Sequence, residues 1–405
     1  MSDVVREAAQ AGQMVLWEES PRDGAQGKTV MSADFRVWLA REQGRIFGDD
    51  GARHVVFAAG FPSVCAEEFD ATRRVAHEAA GAVSPAAVCR GTLEDVRLAC
   101  SAVRGAPHAR VMIVVPGSDA MADAMTHVPA REALSRVAQL VKAARDCAPE
   151  VVPDICFADA PRADVGLLAE VSETLTAEGA GVMVVADTVG DLLPEQAERL
   201  FVELRGAVSE EVVLASHLHN DLGLGLANTL AAVRSGVRVA ACSWLGVAER
   251  SGMVATEQLL FLLAHRKTDL IGEGELWSAP PDLTLLPPIA RAVSAETGVP
   301  LSVTTPIVGS GVGTISTGTP FVRPKTFQPY DPQSLLGITP TVVLTHLASA
   351  RVVRAVAERL GVALDRDEIT AALRWVKSEV YRRNSAVISD EDFGQFLDGM
   401  RAVAR

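Results

Sequence analysis

The chain has 405 residues, 48% hydrophobic and 22% charged, an ordinary globular balance that excludes wholesale disorder. Asp and Glu outnumber Lys and Arg 51 to 38, and the net charge of −13 argues against general nucleic-acid binding, which needs a basic face. No stretch reaches the roughly 18 consecutive apolar residues of a membrane span, the N-terminal stretch lacks the basic and apolar regions of a secretory signal, and the six cysteines form no CxxC pair, so a cytoplasmic protein with reduced thiols is expected.

Up to about residue 265 short apolar runs alternate with longer amphipathic stretches. The runs are 14–20, 54–60, 86–91, 110–117, 151–159, 181–188, 212–221 and 237–244. Between them, segments such as SADFRVWLAREQGRIF and PEQAERLFVELRGAV repeat their apolar residues three and four apart, the helical period. Ser32 and Pro194 are suitable helix-start residues. Eight strands alternating with helices predict an α/β fold, a closed (β/α)8 TIM barrel over 1–265 with its chemistry at the C-terminal strand ends. An open doubly wound sheet is the rival, but GxGxxG is absent after the first run. Residues 266–340 are rich in Pro and Gly and read as a linker subdomain with one helix near 286–297. GSGVG there lacks the Lys-Ser/Thr ending of a phosphate loop. From 341 to 405 the period is helical again, predicting a small helical subdomain.

His217 and His219 close the seventh run, in SHLHND. Alternate strand residues share a face, so the two imidazoles project together into the barrel mouth and suit a divalent cation. The alternative is a pair of exposed loop histidines. Asp23, in ESPRDGAQ after the first run, is a candidate third ligand, since only the eighth strand separates the first from the seventh in a closed barrel. Pro21-Arg22-Asp23-Gly24 also has good turn chemistry. Arg22 is placed to pair with a substrate carboxylate, or else with a surface acid.

These segments resemble the DRE-TIM metallolyases. ESPRDGAQ is similar to their LRDGxQ motif, and HLHNDLGLGLANTLAAVRSGV to their HxHND segment. FAAGFP, CRGTLEDVRLA, FADAPRAD, ADTVG and LGVAERSG follow in the family's order. PIVG, KTFQPYDP and the helical tail resemble the post-barrel regions of homocitrate and 2-isopropylmalate synthases, which hydroxymethylglutaryl-CoA lyase lacks. The chain ends where leucine-inhibited isopropylmalate synthases continue into a regulatory domain, so a specialised pathway is expected.

The resemblance implies that Asp23, His217 and His219 hold a divalent ion (Zn, Mn or Mg). It implies a metal-chelated 2-oxo acid, with Arg22 steadying the developing oxyanion. Gln26, Thr188 and Arg162 match positions that line or support the acid pocket, Arg162 with a structural role as its alternative. It further implies an acyl-CoA donor and a homodimer in which the post-barrel region caps the partner's site. The sequence also departs from the family. Ser316 stands for a family His, Phe321 for a Tyr, Ala215 and Ala58 for Glu, and Met253 for an Asn. A shifted alignment of the Gly-rich loop would bring in His346 instead. The expected activity is therefore acyl-CoA condensation onto a 2-oxo acid, an acyltransferase reaction. The alternative is a lyase or rearrangement of a 2-hydroxy, malate-like acid without acyl-CoA. The retained Arg22, Asp23, His217 and His219 argue against an inactive binding subunit.

Overall fold

The computed structural model describes residues 3–27 and 29–403. Eight parallel strands close into a barrel in sequence order: β1 (Val15–Glu18), β2 (Val55–Gly60), β3 (Ser84–Arg90), β4 (Arg110–Pro116), β5 (Val152–Ala158), β6 (Val182–Asp187), β7 (Val213–Leu218) and β8 (Val239–Cys242). Closure is made by β1 on β8, with Val15 opposite Val239 and Glu18 opposite Cys242. The eight apolar runs are these eight strands. They lack a polar alternation because both faces are covered. Inward residues such as Val15, Trp17, Val56, Val88, Met112, Val184 and Val213 fill the barrel. Outward residues such as Ile113, Ile155, Phe157, Val185 and Leu214 pack under the helices.

Local signals set the helix starts. Ser32 caps Ala33–Arg45 by accepting from Phe35 N, and Pro194 opens Pro194–Ala207, where its missing N–H costs nothing. The helix Val4–Gln10 plugs the end of the barrel opposite the mouth: Val5 and Ala8 join the interior cluster. Its cap, Asp3, pairs with Arg110 at the start of β4, and Arg110 in turn makes a two-pronged pair with Asp154.

The chain divides into two compact units, Met1–Pro300 and Leu301–Arg405. Segment 266–300 lies in the first, where the helix Leu286–Thr297 packs on Ala33–Arg45 and Glu296 accepts from Ser32. In the second unit, Thr314–Ile315 pairs in parallel with Thr341–Val342. Three helices, Ala350–Arg359, Arg366–Arg383 and Asp390–Val403, enclose Val352, Val356, Ile369, Val376, Phe393 and Leu397. Helix does not start at 341. The β-branched Thr341 and Val342 are drawn into strand pairing, and the first helix waits for its cap, Ser349. No described helix is long and apolar enough to cross a membrane.

Candidate functional site

β1 ends at Glu18, and the chain turns at once into the short helix Asp23–Gln26. The turn is tied down by Glu19 O, which accepts from Arg22 N, Asp23 N and Gly24 N at 3.0, 2.8 and 3.3 Å. Asp23 is thereby held at the mouth, 2% exposed. Two strands away, His217 follows the inward parity of Val213 and Ala215, and His219 repeats it one step on. His217 Nε2 lies 3.3 Å from His219 Nε2 and 3.5 Å from Asp23 Oδ2, and His219 Nε2 lies 3.9 Å from that same oxygen. The nearest point equidistant from these three atoms is about 2.1 Å from each, within the range of bond lengths that divalent ions take to such ligands. All three residues are buried. Asp23 Oδ1 is occupied by Glu249 N at 2.8 Å, which aims Oδ2 at the imidazoles.

The electrostatics match the geometry. Burial works against the Asp23 carboxylate, but Arg22 and the two histidines outweigh it and hold Asp23 well below the usual carboxylate range. Burial, reinforced by His217, lowers His219 to about 4, so its ring is a neutral donor near neutral pH. Nδ1 of both histidines is buried without a hydrogen-bond partner. Two converging ring nitrogens and an ionised carboxylate form a donor set suited to a divalent cation.

Arg22 is the nearest cation. Its Nη1 lies 3.1 Å from Asp23 Oδ2 and 3.2 Å from Gln26 Oε1, while Nε and Nη2 are both engaged by Glu19, at 2.8 and 2.9 Å. Glu19 therefore takes the Nε/Nη2 edge of the guanidinium, and Nη1 is left turned to Asp23 and Gln26. Beside this group lies a cavity of about 860 Å³, lined by Arg22, Gln26, Met31, Phe61, Val64 and Arg90 among others.

The structure brings Arg22, Asp23, Gln26, His217 and His219 together. Thr188 and Arg162 form a separate group around Asp159. Thr188 Oγ1 accepts from Asp159 N at 2.9 Å, and Arg162 Nε meets the Asp159 carboxylate at 2.8 Å with its side chain 57% exposed. Among the described residues no hydrogen bond or ion pair joins Arg162 to the Asp–His–His group. Ala58 and Ala215 both face the barrel interior, and Met253 is buried in a β-bridge with His219. Ser316, Phe321 and His346 belong to the second unit, where Phe321 packs on the helical core and His346 meets Tyr381 edge-on.

Several site residues escape a reading of motifs. Glu19 is one; only its parity with Val15 and Trp17 hints that it points inward. Cys156 is another. It faces inward on β5, within electrostatic range of Arg22, Glu19 and Asp23, and burial pushes its thiol up to about 12. The third is Arg250, which ties Asp221 (2.9 Å) to Thr188 O (2.6 Å) beside the loop that supplies Glu249 N.

A family model described as HMGL-like matches residues 14–293. Curated relatives include a 2-isopropylmalate synthase of Prochlorococcus marinus, 28% identical over 402 residues, covering 95% of this chain and 73% of that one. The 2-isopropylmalate synthase of Acidimicrobium ferrooxidans is 28% identical over 374 residues, covering 91% and 70%. Among solved structures, hydroxymethylglutaryl-CoA lyase from Pseudomonas aeruginosa superposes with a TM-score of 0.57 at 22% identity, over 71% of this chain and 94% of that one. An HMG-CoA lyase from Acinetobacter baumannii in complex with coenzyme A and 3-methylmalate gives 0.55 at 20%, over 71% and 92%. At such identity the structural likeness establishes the barrel fold. With the family model spanning well over half its length, the chain belongs to the HMGL-like, DRE-TIM metallolyase family.

Proposed function

We propose that this protein is a divalent-metal-dependent enzyme that makes or breaks a C–C bond at the carboxylate-bearing carbon of a 2-oxo acid or its alkylmalate-type product. The convergence of Asp23 Oδ2, His217 Nε2 and His219 Nε2 carries this reading. When bound, a divalent ion supplies Lewis-acid polarisation of the acid's carbonyl. The chain's own residues do the rest. Asp23 is kept ionised by Arg22, and Glu249 N fixes which oxygen it presents. Arg22 Nη1, beside that oxygen, is the donor closest to where an oxyanion develops. The adjoining cavity of about 860 Å³ has room for a second, larger substrate, which favours condensation with an acyl-CoA. Relatives named 2-isopropylmalate synthase support the same direction. Gln26 borders both Arg22 and this cavity, and Thr188 and Arg162 hold the Asp159 turn after β5.

A second reading rests on Ala58 and Ala215. The interior positions under the site carry methyl groups, so proton transfer by a carboxylate there is absent. Cleavage of a 2-hydroxy acid fits that wall because no C–H proton is removed: the hydroxyl proton is lost, the C–C bond breaks, and the departing carbon takes up a proton. Steady-state thiol release from acetyl-CoA, with pyruvate, 2-oxoisovalerate, 2-oxoglutarate and phosphonopyruvate as acceptors, separates the two. Metal-dependent release supports condensation. Acid binding without release, with 2-oxo acid appearing from an alkylmalate, moves the second reading to first place. No binding of any acid refutes both. We further infer a cytoplasmic homodimer, which sedimentation would show as a species of twice the chain mass.

A further inference from the structure

We propose that Glu19 is a positioning and charge-setting residue of this site: it clamps Arg22, braces His217, and tunes the site to an acid of single negative charge. The inference rests on the metal-centred reading above. Glu19 follows β1 in the inward register of Val15 and Trp17 and is completely buried. Both its oxygens are engaged by Arg22, Oε2 by Nε at 2.8 Å and Oε1 by Nη2 at 2.9 Å. This two-pronged pairing fixes the plane of the guanidinium and so decides where Nη1 points.

On its other side Oε1 stands 3.7 Å from His217 Nδ1, a buried nitrogen with no hydrogen-bond partner. That is too long for a hydrogen bond, and a small rotation of the ring closes it. A carboxylate behind the far nitrogen of an imidazole holds it as the Nδ1–H tautomer and leaves the Nε2 lone pair for a cation. Glu19 O also accepts three main-chain N–H groups of the turn bearing Arg22 and Asp23. One residue thus holds the turn by its backbone and Arg22 by its carboxylate, with His217 next to that carboxylate.

The charge count follows. Glu19 and Asp23 bring two negative charges and Arg22 one positive. With the imidazoles counted as ligands of the cation, a divalent ion makes the formal sum +1. One carboxylate on the acid neutralises it. The interior residues Ala58, Val88, Val114, Cys156 and Ala186 supply no cation for a second. The neighbouring Arg90 and Arg250 are already paired, with Asp95 and with Asp221 and Glu249.

The test compares wild type with Glu19→Gln and Glu19→Asp, all checked for native thermal unfolding. Zn²⁺ alone is titrated into each apoprotein by calorimetry. Pyruvate and 2-oxoglutarate are then titrated into the loaded forms. Glu19→Gln should weaken the metal about 10–100-fold, the usual cost of losing such a partner. It should also shift the pyruvate-to-2-oxoglutarate affinity ratio about tenfold or more toward the diacid, and Glu19→Asp should keep the wild-type ratio. Unchanged metal affinity together with an unchanged ratio in Glu19→Gln overturns the proposal. If the Gln variant does not fold, ¹⁵N-histidine NMR of the zinc-loaded wild type decides: His217 as the Nδ1–H tautomer supports the proposal, and the opposite tautomer refutes it. Failure of wild type itself to bind zinc refutes the underlying metal-centred reading instead.

Discussion

Arg110 offers a direct test of how the barrel's closed end is held. It is 1% exposed and reaches Asp154 at 2.8 and 2.6 Å and Asp3 at 2.5 and 3.3 Å. Replacing it by Met keeps the length and removes the charge. Asp154, wholly buried, is then left with one hydrogen bond, from Val182 N at 2.9 Å. Removing one partner of a buried ion pair costs about 3–5 kcal/mol. At about 2 °C per kcal/mol for a large domain, the melting temperature should drop by roughly 6–10 °C. The loss should depend on pH. Burial already raises Asp154 despite Arg110, and without the cation it rises further. A carboxyl raised in the folded state contributes most when protonated and loses that contribution as pH rises through its folded value. The variant's deficit should therefore grow between pH 5 and pH 8, by up to about 1.4 kcal/mol per pH unit. Arg110→Met/Asp154→Leu removes both charges and should recover most of the loss. Urea denaturation of the three proteins at both pH values is the assay. An Arg110→Met protein as stable as wild type at pH 8, or a double variant no better than the single, would refute the reasoning.

Two further outcomes follow. Glu18 and Glu257 are fully buried, and burial raises both to about 7, against the hydrogen bonds from Ser20, Thr256 and Leu245. Between the unfolded value of 4.5 and 7 the folded state binds more protons, so stability should fall as pH rises through that window, and Glu18→Gln with Glu257→Gln should flatten the melting-temperature profile. Gly252 has φ +85°, and a Cβ there would stand 2.1 Å from Gly246 O. Gly252→Ala should cost about 1–3 kcal/mol and, by shifting the loop that places Glu249 N on Asp23, also weaken metal binding, as melts with and without Zn²⁺ would show.

The barrel is legible in the chain because parallel strands covered on both faces are written as apolar runs, and eight of them alternate with helical segments. The pairing of His217 with His219 is legible from strand parity, and Asp23 from strand order. What a linear reading misses is side-chain competition. Arg22 looks wholly free for a substrate carboxylate, yet Glu19, three residues earlier, occupies its Nε/Nη2 edge. Arg162 looks like a pocket residue but turns onto Asp159. The strand at Thr341–Val342 lies hidden because its partner, Thr314–Ile315, is distant in sequence and each strand is two residues long.

The central claim is that Asp23, His217 and His219 form one divalent-cation site. Calorimetric titration of metal-free protein with Zn²⁺, Mn²⁺ and Mg²⁺, in wild type and in His217→Ala/His219→Ala, tests it most directly. The account predicts one ion per chain in wild type and none in the variant. Equal binding in both proteins, or no binding in wild type, would contradict it.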